Sequence, residues 1–314
     1  MDNRSFFTQK SVVVILATLC CVLWGSAFPA IKNGYALFGI VPTDVASKMV
    51  FAGYRFLLAG LLVLIYAVVS GRHIFRLDRS EWRDAALLGI LQTSIQYVFF
   101  YVGLAYTTGV KGSIMNATTA FFSVLLAHFV YHNDRMSLAR IVGCLVGFAG
   151  VLVVNFGHGL IDFHFSLLGE GCVVVSALLL SIGGIFSKRV TQRMDSVVLT
   201  GHQLSMGGFI LVAVGYASGG YLPFPTYQAA ALMLYMVVIS AAAFVLWTIL
   251  LKYNRVGVVS VYNFLIPIFG ALLSALFLDE HILEPKYALA LVLVCAGIWL
   301  VNREPGRRAG PASS

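Results

Sequence analysis

Apolar runs of about 18 to 23 residues recur from one end of the chain to the other, and each matches the ~20 residues a helix needs to cross the hydrocarbon of a bilayer. Ten such runs are predicted, at approximately 12–31, 48–70, 85–106, 112–131, 139–156, 168–187, 196–217, 228–250, 257–278 and 285–302. A transmembrane β-barrel would show short segments alternating between apolar and polar residues instead. Composition agrees: 60% of the 314 residues are hydrophobic and 11% charged, and the mean hydropathy is +0.90. Soluble chains carry about a quarter charged residues. The first run is too long for a signal peptide and lacks a small-residue cleavage site before the next span, so it reads as a retained helix.

The net charge of +8 is explained by where the basic residues fall. With the N-terminus inside, sixteen lie in cytoplasmic segments: Arg4, Lys10, Arg72, Arg76, Arg79, Arg83, Arg135, Arg140, Lys188, Arg189, Arg193, Lys252, Arg255, Arg303, Arg307 and Arg308. Only Lys32, Lys48, Lys111 and Lys286 lie outside, with Arg55 inside a span. The positive-inside rule therefore predicts both termini in the cytoplasm and an even number of spans. The basic excess orients the chain in its lipid bilayer and calls for no nucleic acid. Cys20, Cys21, Cys144, Cys172 and Cys295 all fall in or beside apolar runs without CxxC or His spacing. They read as small hydrophobes, with neither disulfides nor a bound metal expected.

An offset of 147 residues superposes 104–155 on 251–302, with eleven of 52 positions identical, where this composition gives about four. Tyr106 meets Tyr253, Ser113 meets Ser260, Asn116 meets Asn263, Gly150 meets Gly297 and Asn155 meets Asn302. Two intramembrane asparagines in register are hard to ascribe to apolar bias. Each copy would hold five spans, and an odd number inserts the second copy upside down. Inverted repeats suit secondary transporters, because two halves of opposite orientation can expose one midplane site to each side in turn. The expected fold class is thus an all-α integral membrane protein of ten transmembrane helices, built as two inverted five-helix repeats over 1–157 and 158–303 with a cytoplasmic tail at 304–314.

The residues themselves carry a resemblance. "LWGSAFPAIK" in the first span, "YRFLLAG" in the second, "LIPIFGALLSALFLDE" in the ninth, and the endings "GFAGVLVV" and "CAGIWLV" together resemble the EamA family of the drug/metabolite transporter superfamily. The order and spacing of the pieces are more specific than any one of them. The resemblance implies a ten-helix bundle around a central cavity in a bacterial cytoplasmic (inner) membrane, exporting small metabolites such as amino acids. The chain departs from the family at the fourth span, where Ala120 stands opposite Pro267 and "YHNDR" replaces the acidic ending "LDE".

Candidate site residues are the polar and helix-breaking ones inside spans. Pro29 and Pro267 lack an amide hydrogen and free the carbonyls of Gly25 and Asn263. Such carbonyls should face protein or a water-filled cavity, so both prolines are candidate kinks, with Trp24 and Ser26 beside the first. Ser113 and Asn116, and in the second copy Ser260 and Asn263, form small polar faces at helical spacing; the serines also suit plain helix packing. The asparagines, which need several partners, point to a shared central site. Gln92, Gln96, Tyr97 and Tyr101 on the third span, with Trp247 on the eighth, would make an amphipathic pocket, although Trp also collects at membrane interfaces. His202 and Gln203 add polar groups on the seventh span. Arg55 either clamps a substrate carboxylate or snorkels to nearby carbonyls. Gly143, Gly147 and Gly150 make the fifth span a close-packing helix.

No Asp or Glu falls in the middle of a span; Asp44, Asp162, Glu170, Asp279, Glu280 and Glu284 lie at outer ends. A carboxylate proton relay, a sodium site or an intramembrane protease therefore has no support, and no GxxxxGK[ST] loop points to ATP hydrolysis. His128 and His202 could titrate near neutrality, yet a lone span histidine is more often a packed hydrogen-bonding residue. The expected function is secondary transport of a small-molecule substrate without cofactors and without enzyme activity. An importer or exchanger of nucleotide-like or sugar-like solutes is the alternative, and a non-transporting sensor the remaining one. The oligomeric state is left open, a homodimer included.

Overall fold

The computed structural model describes residues 3–107, 109–155, 165–277 and 285–303. After a short N-terminal turn at Asn3–Phe7, the helices are α1 (Lys10–Leu37), α2 (Val45–Val69), α3 (Arg79–Tyr106), α4 (Gly109–Val130), α5 (Leu138–Val154), α6 (Leu167–Val190), α7 (Ser196–Ala217), α8 (Tyr227–Tyr253), α9 (Val256–Phe277) and α10 (Pro285–Asn302). Among the described residues all regular structure is helical, and nine helices are long and apolar enough to cross a membrane. The tenth expected span, α5, reaches only 17 residues because Asn155 caps its end. The 157/158 boundary, the tail at 304–314, and Asp162, Asp279, Glu280 and Glu284 lie outside the described residues.

Short polar residues set the helix starts. Asp44 accepts the Ser47 amide at 2.8 Å, Asp78 and Glu81 form a reciprocal capping box, and Asp195 accepts the amides of Val197 and Val198, each satisfying donors that a helix leaves unpaired. Gly39, Gly71 and Gly219 have positive φ two residues beyond α1, α2 and α7, where glycine reverses the chain at little cost.

Small residues decide which helices meet. α2 lies along α7: a Cβ on Gly60 would stand 2.3 Å from the Ser205 amide, and one on Gly208 2.3 Å from that of Leu57. α5 lies along α10, with a Cβ on Gly143 2.8 Å from the Gly297 carbonyl and one on Gly150 2.8 Å from that of Ala290. Backbones this close maximise van der Waals contact where lipid gives no hydrophobic drive between helices. α1 packs against α8 and α9, and α6 against α3 and α4. Two buried clusters result, one around Cys20, Phe264 and Ile268, the other around Phe51, Phe56 and Leu204.

Polar clasps tie the ends. On the face that carries Phe7 and the start of α9, Asn254 donates to the Phe7 carbonyl at 2.9 Å, and Lys188 donates to the Asn254 carbonyl. On the same face Arg193 pairs with Asp84, Arg72 with Asp195 at 3.4 Å, and Arg140 with Asp134. On the opposite face Glu170 accepts from Thr107 and from the Ser166 amide, both at 2.8 Å, and faces Lys111 at 3.6 Å. His128 accepts the Met136 amide at 3.0 Å, a packed role.

Candidate functional site

A cavity of about 240 Å³ lies between the helices, lined among the described residues by α1, α2, α3, α4, α6, α8 and α9 and not by α5, α7 or α10. α1 supplies Trp24, Phe28, Ile31 and Tyr35, a spacing of three and four residues that puts all of them on one face. Gly25 on another face lets α9 approach: a Cβ there would be 2.7 Å from the Phe269 Cβ. α3 contains a π-helical stretch at Gly89–Ile95, a widened turn of a kind often found at functional sites, and Gln92 within it and Gln96 after it both line the cavity.

α9 narrows to a 3₁₀ turn at Val261–Phe264, just before Pro267. The missing proline amide cannot reach the Asn263 carbonyl, so the ladder tightens there. The neighbouring Tyr262 carbonyl accepts from the Cys21 thiol at 3.1 Å. Ser260, Asn263 and Pro267 line the cavity from this helix, and Ser113, Asn116, Thr119 and Ser123 from α4. Neither asparagine side chain has a hydrogen-bond partner among the described residues.

The walls are aromatic. Trp24 packs edge-on to Trp247 at 5.1 Å and to Phe244 at 5.6 Å, Phe244 meets Phe56 at 6.0 Å, and Phe56 meets Tyr97 at 4.5 Å. Trp247 is thus buried in this chain of rings and lines the cavity. Tyr101 continues the row 6.0 Å from Tyr97, and Tyr35 lines the same cavity.

Polar groups interrupt the rings at few points. Arg55, 3% exposed, donates from Nε to the Ser240 hydroxyl at 2.7 Å, and Ser240 donates on to the Met236 carbonyl. Gln96 donates to Ser176 at 2.7 Å, while its carbonyl oxygen is buried without a hydrogen-bond partner among the described residues. Lys48, in the first turn of α2, lines the cavity near one face and donates to the Pro42 carbonyl. At the other end Leu251 and Gly184 line it, about one turn from the Lys188–Asn254 clasp. Such a site offers amides, one guanidinium and aromatic faces to a small solute. Among the described residues no group of three or more His, Cys, Asp or Glu could hold a metal ion.

Of the sixteen residues expected from sequence, twelve line this cavity: Trp24, Arg55, Gln92, Gln96, Tyr97, Tyr101, Ser113, Asn116, Trp247, Ser260, Asn263 and Pro267. Four are placed elsewhere. Ser26 accepts from Tyr235 at 2.7 Å and donates to the Leu23 carbonyl. Pro29 is buried inside a helix that continues to Leu37. His202 meets the Ile74 carbonyl at 2.8 Å with its ring edge-on to Trp82, which anchors the segment between α2 and α3. Gln203 accepts from Thr93 at 3.2 Å between α7 and α3. Tyr35, Lys48 and Thr119 were missed; the first completes the α1 stripe, and the last stands one turn beyond Asn116.

Similar proteins share this frame. A solved crystal structure superposes with a TM-score of 0.77 over 94% of this chain and 98% of its own, at 18% identity, which shows the fold. An uncharacterized transporter of Archaeoglobus fulgidus is 27% identical over 94% of this chain and 98% of its own length. The uncharacterized transporter YvbV of Bacillus subtilis is 26% identical over 93% and 92%. A WAT1-related chloroplastic protein of Arabidopsis thaliana is 25% identical over 90% of this chain and 67% of its own. The model of the EamA-like transporter family matches twice, at residues 11–156 and 167–303. With nearly the whole length accounted for by that family and an all-helical bundle enclosing a solute-sized cavity, this membrane chain belongs to the EamA-like transporter family.

Proposed function

We propose that the chain is a secondary transporter that exports small metabolites, amino acids among those the family resemblance implies, across the cytoplasmic membrane by alternating access. One observation carries this reading. Asn116 and Asn263, related by the 147-residue offset, come from different halves of the chain and line one cavity. A site shared by two halves is what a rocking carrier needs.

The helix packing supports two inverted halves, 1–157 and 158–303. Exchanging each helix for the one five positions along maps α1 on α9 onto α6 on α4, and α1 on α8 onto α6 on α3. The pairs α2–α7 and α5–α10 map onto themselves. The cavity extends to Lys48 on one side, and clasps through Asp134, Arg140, Lys188 and Asn254 close the basic face on the other. With the basic face in the cytoplasm, these clasps fit a state shut on the inner side.

The test is counterflow in liposomes carrying the purified protein, across a panel of labelled amino acids and other small metabolites, with and without a proton gradient. Saturable counterflow of a panel member is expected. Folded protein that moves none of them overturns the reading.

A further inference from the structure

The unmatched charge of the cavity narrows what it can hold. Arg55 is 3% exposed and spends only Nε, on a serine hydroxyl whose own proton goes to the Met236 carbonyl. Its guanidinium lies 5.1 Å from the Phe56 ring, its two terminal nitrogens have no hydrogen-bond partner among the described residues, no carboxylate there pairs with it, and it lines the cavity. A guanidinium stays charged at any physiological pH, and a buried charge without a counterion is costly. Its planar fork matches the two oxygens of a carboxylate. Lys48, which faces the Asp44 carboxylate outside the cavity, is the other charged lining residue, and among the described residues no Asp or Glu lines the cavity. Two like charges in a low-dielectric cleft concentrate anions and repel cations.

We infer that the cavity selects small organic monoanions, with a carboxylate on Arg55 and an apolar or aromatic body against Trp24, Phe244 and Trp247. The inference rests on this cavity being the solute site and narrows the proposed small metabolites to anions, which sets zwitterionic amino acids aside. A zwitterion would satisfy Arg55 but would have to desolvate its ammonium among neutral amides and rings. The volume of about 240 Å³ falls below the roughly 300–1,000 Å³ of pockets for drug-sized ligands, which favours a single ring over a nucleotide.

Three probes with one ring and one chain length decide it: 3-phenylpropionate, phenylalanine and phenethylamine, carrying an anion, a zwitterion and a cation. Calorimetry on the full chain in detergent reads binding, and counterflow in liposomes reads transport. 3-Phenylpropionate is expected to bind at least roughly tenfold more tightly than the other two. Arg55→Gln should lose roughly tenfold or more, and Arg55→Lys, which keeps the charge without the fork, should fall between. If Arg55→Gln does not fold, the ranking of the three probes on the unaltered chain and the lysine variant decide. Equal or tighter binding of phenylalanine or phenethylamine, no binding of 3-phenylpropionate, or full affinity in a folded Arg55→Gln variant overturns the inference. Arg55-dependent binding of the anion without any counterflow would sink the transport reading and leave the anion site standing. Counterflow of phenylalanine without anion binding would do the reverse.

Discussion

Asp134 accepts from Arg140 Nη1 at 2.7 Å with 1% and 3% of the two side chains exposed, and its second oxygen accepts the Gly257 amide at 2.8 Å. One carboxylate thus joins the turn between α4 and α5 to the first turn of α9, across the two halves of the chain. It lies at a helix N-terminus, where the backbone dipole favours negative charge. Removing it by Asp134→Ala leaves a buried guanidinium alone, which costs about 3–5 kcal/mol. A clear drop in melting temperature in detergent is expected. Asp134→Leu combined with Arg140→Met removes both charges and should recover most of the loss. Equal losses in single and double variants would show that the pair's charge does not hold this face.

The α2–α7 seam makes a second expectation. A Cβ at Gly208 would overlap backbone, at 2.3 Å from the Leu57 amide and 2.8 Å from the Phe56 carbonyl carbon, whereas one at Gly171 would meet nothing closer than 3.6 Å. Backbone of a packed helix cannot step aside as a side chain can, so Gly208→Ala must push the helices apart, with an overpacking cost of about 1–3 kcal/mol or more. Gly171→Ala should leave folding unchanged. Size-exclusion profiles of the two variants after heating separate these outcomes; a Gly208→Ala protein as heat-resistant as the parent would mean the seam is looser than these distances require.

Gln203 tests the division between cavity and scaffold. Its amide oxygen is the acceptor for Thr93 in the α3–α7 interface, and the residue is 2% exposed. Gln203→Leu strands a buried hydroxyl at about 1–3 kcal/mol, so abundance and thermal stability should fall. The solute concentration for half-maximal flux should not change. A shift in that concentration at normal abundance would return Gln203 to the solute site.

These residues also mark how far sequence reading reaches. Span positions are legible because lipid imposes length and hydropathy, and the asparagines because an amide inside a span is rare and this pair recurs at a fixed offset. Rarity says nothing about which neighbour satisfies the group. His202 and Gln203 are as rare as Asn116, yet Ile74 and Thr93 meet their needs away from the cavity, and only three-dimensional packing supplies those partners. Tyr35 was hidden for the opposite reason. A tyrosine near a span end reads as an interface residue, and its place on the Trp24–Phe28–Ile31 stripe counts only once that stripe faces the cavity.

Strong acid should loosen the start of α2. The Asp44 carboxyl lies below the usual carboxylate range because the Ser47 hydroxyl and amide hydrogen-bond to it. A group whose folded value is depressed stabilises fully above its unfolded pKa of about 3.9, and that contribution is lost as pH falls through the folded value. Protection of the amides at residues 45–48, measured as exchange relative to the intrinsic rate at each pH, should therefore fall as the pH drops below about 4. Asn is a good cap that does not titrate there, so Asp44→Asn should abolish this acid response while keeping slow exchange at neutral pH. A response that persists in the variant would assign it to another group.

The two asparagines give the most direct test of a site shared by both halves. Each lines the cavity, and neither side chain is committed to a hydrogen bond among the described residues, so truncation breaks no internal contact. Asn116→Ala and Asn263→Ala are each expected to weaken solute binding by about 0.5–1.5 kcal/mol, the net worth of one hydrogen bond, at unchanged membrane abundance. If one bound solute touches both amides, the double variant should lose less or more than the sum of the singles, since groups that share a partner are coupled. Flux measured against solute concentration, normalised to the amount of tagged protein in the membrane, reads all three variants. Abundance that falls in step with flux would make the asparagines structural, and strictly additive losses would mean that the two halves present separate sites.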